Sequence, residues 1–551
     1  ATAAVLDRVR ETGRKLMLVT GRMLLDLRGV CPEADRLFDV VVAENGAVLY
    51  FPARRELRTL GDPPEPRLVE ALGRHGVAFD FGSSIIASHE RYAEEALAAI
   101  REAGVERTLV FNKGSMMLLP GGVTKGTGLA AALSAESLSP HNTVGIGDAE
   151  NDHAFLALCE CAVAVADAIP AIRERADHVT RAPNGRGVAE FVEEHVLADL
   201  VEIVPRIARH HLQLGERVDG TPVTIPAHAT NLLIVGPSGS GKSTLTGVLV
   251  ERLVEAGRTV CLLDPEGDYE TLRELEGVVA LGGKAEQALP APDDLGQLLL
   301  HPRTSLVLDL SAMSRSEKVS YATKALATVA ATRATSGMPH WLIVDEAQHV
   351  FPADGSSADE WVRTGREATC LIALSADDLS PEVRPMVNVL AATDVETFAN
   401  ALRTLRGESA VSGGAVGPAR LDQGEAVLAF LEPTPRAVGF RVARRRLAHR
   451  RHIRKYAEGE LPPERSFYFR GPAGQLRLRA ANLTRFCELA EGVDEATWAH
   501  HLRGREYSAW MGQVIKDPEL AAEVATLEEM SLPPADSRRR VMEAVRRRYA
   551  V

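Results

Sequence analysis

Fifteen residues, Asn231 to Leu245 (NLLIVGPSGSGKSTL), constrain this chain more than any other stretch. Leu232 to Val235 form a short apolar run of buried-strand type, and a glycine-rich turn follows at once. Lys242, Ser243 and Thr244 then open a helix. This is the GxxxxGKS phosphate loop. Its glycines let the segment Gly236-Pro237-Ser238-Gly239-Ser240-Gly241 turn tightly and aim backbone N–H groups at a polyphosphate. Lys242 is expected to reach the β- and γ-phosphates of ATP, and the Ser243 hydroxyl to hold Mg²⁺. Thr244 completes the loop, where the helix N-terminus adds partial positive charge. The bland alternative is a chance glycine turn, but strand, full motif and helix stand here in register.

Bulk numbers set the frame around that loop. A chain of 551 residues implies several domains, and 45% hydrophobic with 25% charged residues is ordinary for a globular protein. A net charge of −12 argues against a chain that coats nucleic acid generally, while leaving room for a local basic site. Cys31, Cys159, Cys161, Cys261, Cys370 and Cys487 are scattered without metal spacing, which suits a reduced cytoplasm. No apolar run approaches the roughly 18 residues that cross a bilayer, and no signal peptide is visible.

Before the loop, Val5–Thr12 reads as an amphipathic helix, and Lys15–Val19 as a buried strand ending at Thr20-Gly21-Arg22. Val40–Val42 leads into Glu44-Asn45-Gly46, and Thr143–Asp148 is a strand that stops on Asp148-Ala149-Glu150-Asn151-Asp152. Strands alternating with helices, with polar groups at strand ends, predict an open parallel α/β sheet whose site lies along that edge.

These segments resemble the haloacid dehalogenase superfamily, in its Cof-like branch with a large cap. LVTGR (Leu18–Arg22), Lys125 in GGVTKGTGL and GDAENDHAFL (Gly147–Leu156) carry the resemblance, which spans about residues 1–200. It implies a Rossmann-like core with an inserted α/β cap at about 51–117, acting as a phosphatase on a phosphate monoester. Thr20 would bind the transferring phosphoryl group and Lys125 would neutralise it. Asp148 and Asp152 would hold Mg²⁺, with Asn151 supporting the site. A lysine, a hydroxyl and Mg²⁺ together supply the charge neutralisation that phosphoryl transfer needs. An acidic turn that merely caps a helix is the plainer reading of Asp148 and Asp152. The family's nucleophile, an Asp in a DxDGT loop, would lie on a strand before Ala1, and no DxDGT occurs elsewhere; Asp80 in FDFG is the nearest imitation. The expectation is a chain trimmed at its start, or a domain that has lost its chemistry.

After the phosphate loop, Thr259–Leu263 and Ser305–Leu310 are strands with acidic ends, and Trp341–Val344 runs into Asp345-Glu346. Asp345 is expected to order the Mg²⁺ shell, and Glu346 to polarise the water that attacks the γ-phosphate. A kinase must exclude water, so Glu346 favours an ATPase over an end-processing kinase–phosphatase. LLDPEGDYETL (Leu262–Leu272), SLVLDLS (Ser305–Ser311), MPHWLIVDEAQHVFP (Met338–Pro352) and QGEAVL (Gln423–Leu428) resemble HerA/FtsK-like translocase ATPases, over about 215–445. The resemblance implies a RecA-like P-loop parallel sheet, a homo-oligomer that is commonly a hexamer, and double-stranded DNA as a partner. Ser375 stands where that family places a γ-phosphate sensor. Arg363 and Arg366 are candidate trans-acting fingers, or simply exposed helix charges.

Beyond 463 the chain reads as a small, mainly helical module to about 530, and 531–551 as a basic tail. Arg441–Lys455, Arg538–Arg540 and Arg546–Arg548 are basic runs: phosphate-backbone contacts on one reading, solvated helix faces on the other. The whole therefore reads as a Mg²⁺-dependent fusion of a phosphatase-type domain with an ATPase. In an alternative, the first domain only senses a phosphorylated ligand.

Overall fold

In a computed structural model the described residues run from 2 to 549, apart from 113, 284–286, 355–367, 408–417, 419, 433–435, 446–460, 462, 473, 475, 516 and 531. Contacts divide the chain into two units. One comprises residues 1–265 and 275–444, the other 266–274 and 445–551.

The first unit opens with the helix Thr2–Glu11 and strand β1, Met17–Val19. β2 (Val40–Ala43) pairs with β1 in parallel, then β3 (Val48–Phe51) and β4 (Glu56–Thr59) extend the sheet antiparallel. An antiparallel sheet follows, in the order β5 (Phe79–Phe81), β6 (Ile86–His89), β8 (Ser115–Pro120), β7 (Arg107–Asn112). The helices Pro66–Arg74 and Ala93–Ala103 share its core of Leu68, Leu72, Ile86, Ala96, Ala99, Met116 and Leu118. Most of this sheet and its helices fall in the segment expected as an inserted cap, about 51–117, whereas β4, inside the same bounds, pairs with β3. β9 (Val144–Gly147), β10 (Cys161–Ala164) and β11 (His178–Val179) make a separate parallel sheet. The expected single open sheet is thus two sheets, since no described strand pairs with the outer edge of β1 or of β9.

Residues from 212 onward build an eleven-stranded sheet. β12 (Leu212–Glu216) and β13 (Pro222–Ile225) form a hairpin at one edge. β14 (Asn231–Val235), β15 (Val260–Asp264), β16 (Val278–Gly282), β17 (Ser305–Asp309), β18 (Trp341–Val344), β19 (Thr369–Ala373) and β20 (Val389–Ala392) are parallel neighbours in the order β20-β14-β19-β18-β15-β17-β16. Both faces of such strands are covered, so they read as unbroken apolar runs such as Val260–Leu263 and Trp341–Val344. β21 (Glu425–Phe430) and β22 (Arg436–Val442) join antiparallel between β20 and β12.

In the second unit β23 (Phe467–Phe469) and β24 (Leu478–Ala480) pair antiparallel. Helices Leu483–Gly492, Glu495–Arg503 and Pro518–Glu529 each start on a side-chain cap, from Asn482, Asp494 and Asp517. The segment read as a separate basic tail is the helix Pro534–Tyr549, whose Val541, Met542, Val545 and Tyr549 close this module's core. Four of its arginines pair with acids: Arg539 with Asp536, Arg546 with Glu491, Arg547 with Glu523 and Arg548 with Asp517. That is the solvated-face reading of this basic run. Most of Arg441–Lys455 lies outside the described residues. Among the described residues no helix is long and apolar enough to cross a membrane.

Candidate functional sites

The phosphate loop leaves β14 and turns with positive φ at Gly236 (154°), Gly239 (78°) and Gly241 (112°) before the helix Lys242–Glu255. The ammonium of Lys242 donates to the carbonyls of Gly236 (2.7 Å) and Pro237 (3.0 Å), so it lies folded over the loop where a phosphate would sit. Ser243 is buried at the same helix start. Ser240 Oγ, besides bonding Pro237 O at 2.8 Å, stands 2.5 Å from Thr393 Oγ1. Thr393 follows β20, and a Cβ on Gly236 would lie 2.2 Å from its hydroxyl. The sequence reading missed this residue, since nothing in the stretch after Val389 marks it as a neighbour of the loop.

Asp345 and Glu346 follow β18, which is separated from β14 only by β19. Val235 pairs with Ala373 and Val344 with Leu371, so the loop and the acidic pair leave the same C-terminal edge. Asp345 is buried and accepts the Glu346 amide at 2.9 Å. Glu346 adopts a left-handed backbone (φ 47°) and its carboxylate accepts Gln348 Nε2 at 2.6 Å. A non-glycine residue in that region stores strain, which recurs at working sites. Ser375, the expected sensor, instead uses its Oγ to accept the Asp377 amide at 3.2 Å, capping a short turn. Arg363 and Arg366 lie outside the described residues.

The second constellation joins Thr20, Lys125, Asn151 and Asp152 in one network. Lys125 begins the helix Lys125–Ala135 and is buried. Its Nζ donates to Asp152 Oδ1 at 2.6 Å and to Asn151 Oδ1 at 3.1 Å. Asp152 Oδ2 accepts the amides of Asp148 (2.8 Å) and Ala149 (2.9 Å). Asp152, expected with Asp148 as a Mg²⁺ ligand, thus also ties the lysine to the loop that follows β9. Asn151 Nδ2 donates to Asn45 Oδ1 at 2.8 Å, and Asn45 Nδ2 to Met117 Sδ of β8 at 2.8 Å. The Asn45 amide N–H donates to the Thr20 carbonyl at 3.1 Å, and the Arg22 amide to Thr20 Oγ1 at 3.1 Å.

The residue before Asn45 reaches the cap. Glu44 accepts the amides of Ser83 (2.8 Å) and Ser84 (3.0 Å) with its two carboxylate oxygens. Glu44 (φ 53°), Asn45 (φ 54°) and Gly46 (φ 103°) are all left-handed, a strained turn that aims one side chain at the cap loop and the next at the core. Sequence reasoning left Glu44 and Asn45 without a role. Their signal was a polar pair between two apolar strands.

Comparison with known proteins bears on both sites. The haloacid dehalogenase-like hydrolase family matches residues 78–192. A phosphoglycolate phosphatase of Haloarcula marismortui is 33% identical over 198 residues, covering 34% of this chain and 86% of that protein. The chain belongs to the haloacid dehalogenase-like hydrolases. A second phosphoglycolate phosphatase, of Methanothermobacter thermautotrophicus, is 36% identical over 190 residues, covering 33% of this chain and 83% of its own length. To this haloacid dehalogenase-like region is fused a HerA-like one: the family described as helicase HerA, central domain, matches residues 212–334. That span contains the phosphate loop, β14–β17 and all but the last two residues of the helix Arg315–Ser336.

Proposed function

We propose that the HerA-like region hydrolyses ATP and couples it to mechanical work, beside a phosphatase-type first region that binds a small phosphate monoester. Cleavage there requires the DxDGT nucleophile, which residues 1–551 do not supply. One observation carries the ATPase reading: the phosphate loop and Asp345-Glu346 leave one edge of a parallel sheet with a single strand between them. Lys242 would exchange the Gly236 and Pro237 carbonyls for phosphate oxygens. Glu346 would take the proton of the attacking water. Ser243 and Asp345 offer the oxygen ligands that Mg²⁺ prefers, and bound Mg²⁺ would neutralise charge on the phosphoryl oxygens. HerA-like kinship supports an oligomer that works on double-stranded DNA.

In the first region Thr20 would hold the phosphoryl group and Lys125 would balance its charge, with Asp148 facing Mg²⁺. The archaeal relatives point to a substrate of the phosphoglycolate type. Phosphate release from ATP, with and without duplex DNA, tests the reading against transfer to a 5′-hydroxyl end. We expect release to dominate and Glu346→Gln to abolish it while nucleotide still binds. Dominant transfer that survives Glu346→Gln would sink the ATPase in favour of a kinase–phosphatase. Binding of phosphoglycolate without turnover would make the first region a sensor.

A further inference from the structure

The seam between the haloacid dehalogenase-like region and the HerA-like region holds a cluster that neither site uses. His141 sits in the turn before β9, Glu160 just ahead of β10, and His210 in the turn Ala208–His210 that leads into β12. One ligand atom from each, two imidazole nitrogens and a carboxylate oxygen, converge within 4.8 Å of one another. His141 Nδ1 is 2.9 Å from Glu160 Oε2. His210 Nε2 approaches the same oxygen from 3.6 Å, too far for a hydrogen bond, although that nitrogen is buried and has no hydrogen-bond partner. A buried ring nitrogen without a partner requires an explanation, and an ion is one of the few available.

We propose that His141, Glu160 and His210 form a binding site for a divalent transition metal of the zinc class, at the seam between the two regions. Two imidazoles and one carboxylate suit that class, with a water completing the shell. Ligand rings must be unprotonated. His340 is not a ligand: its Nδ1 accepts the Thr259 amide at 2.8 Å, and its Nε2 is spent on Ser139 Oγ at 2.7 Å.

The opposing charge is Arg258, whose Nη2 lies 2.8 Å from Oε1 and 2.7 Å from Oε2 of Glu160. A carboxylate has two oxygens to share. In this structure the guanidinium spans both oxygens, so a metal on Oε2 would leave it on Oε1 alone, as an outer partner that orients the ligand. His228 Nε2 lies 2.9 Å from both Arg258 Nη1 and Glu160 Oε1, on the Oε1 side of the carboxylate. Arg258 and His228 come from the HerA-like region, and His141 and Glu160 from the first, so a bound ion would pin the connector between them.

The test uses the full chain without a polyhistidine tag, stripped with chelator and titrated with Co²⁺ and Zn²⁺. We expect stoichiometric visible Co²⁺ bands of low-coordinate nitrogen–oxygen type and a higher melting temperature with Zn²⁺. His210→Ala and His141→Gln should lose both, while His301→Ala, at a surface histidine, keeps them. His210→Cys, which retains a ligand, should keep the metal and add a thiolate charge-transfer band; this variant decides the matter if His210→Ala fails to fold. Arg258→Lys should weaken the metal on the order of tenfold. No Co²⁺ bands in the parent chain, or bands that persist in His210→Ala, would overturn the site and leave a purely hydrogen-bonded seam.

Discussion

The two proposed phosphate sites of this chain each place a lysine at the start of a helix, and hold it in different ways. Lys242 donates to two backbone carbonyls of its own loop, partners that a phosphate could replace. Lys125 is locked between Asn151 and Asp152, the latter tied in turn to two loop amides. The first lysine is poised for a ligand; the second is also a structural member of its own site. The difference follows from assembly. A contiguous loop needs no side chain to hold it together, whereas a site drawn from residues 20–22, 44–46, 125 and 148–152 does.

The largest expected effect falls on the poised lysine. Lys242→Ala should lower ATP turnover by about 10²–10³-fold, the usual loss when one preorganised charge is removed from a phosphoryl site. Melting should change little, because carbonyls freed in an open loop find water. A large drop in melting temperature with this variant would break the comparison by making Lys242 structural too.

Lys125→Met comes next, and its readout is stability. It leaves the Asp152 carboxylate buried with only its amide partners, and removing one member of a buried ion pair costs about 3–5 kcal/mol. Chemical denaturation of the chain should show an early transition belonging to the first region. An unchanged transition would mean that Lys125 is as lightly held as Lys242.

How far each site was legible in the sequence follows the same line. The phosphate loop, β14, Asp345-Glu346 and the positions of Thr20, Lys125 and Asp148 could all be read, because apolar runs and short motifs are local. Asn45 could not, since its bond to Asn151 spans 106 residues and its left-handed backbone has no compositional mark. Nor could the role of Asp152: spacing puts it near Asp148, but only the fold shows Lys125 on its other oxygen. The split of the first region into two sheets was hidden because strand patterns give elements, not neighbours. The same blindness made a tail of 531–551. Its arginines dominated the composition while Val541, Val545 and Tyr549 supplied the buried stripe.

Glycines sharpen the contrast at a smaller scale. A Cβ on Gly46 would lie 2.0 Å from the Thr124 carbonyl oxygen, in a residue already at φ 103°. Gly239 shares the positive φ, at 78°, but has no atom within 4 Å of a built Cβ. Gly46→Ala should therefore cost about 3 kcal/mol from overpacking and backbone strain together, and Gly239→Ala only about 1 kcal/mol from strain alone. Equal losses would show that the phosphate loop is packed as tightly as the assembled site.

The smallest effect separates two polar residues near the loop. Ser375 caps a turn through Asp377, so Ser375→Ala should remove about 1 kcal/mol of local stability and leave ATP turnover near its starting value. Thr393 touches the loop itself through Ser240, and Thr393→Val keeps the shape while removing that hydroxyl. Its effect should appear in the KM for ATP, because a loop that loses a partner samples more conformations before nucleotide arrives. If Ser375→Ala instead lowers kcat as Lys242→Ala does, Ser375 is the γ-phosphate sensor and its cap is only the resting state. If Thr393→Val leaves KM untouched, the phosphate loop stands alone. A raised KM would instead make it, in one respect, an assembled site as well.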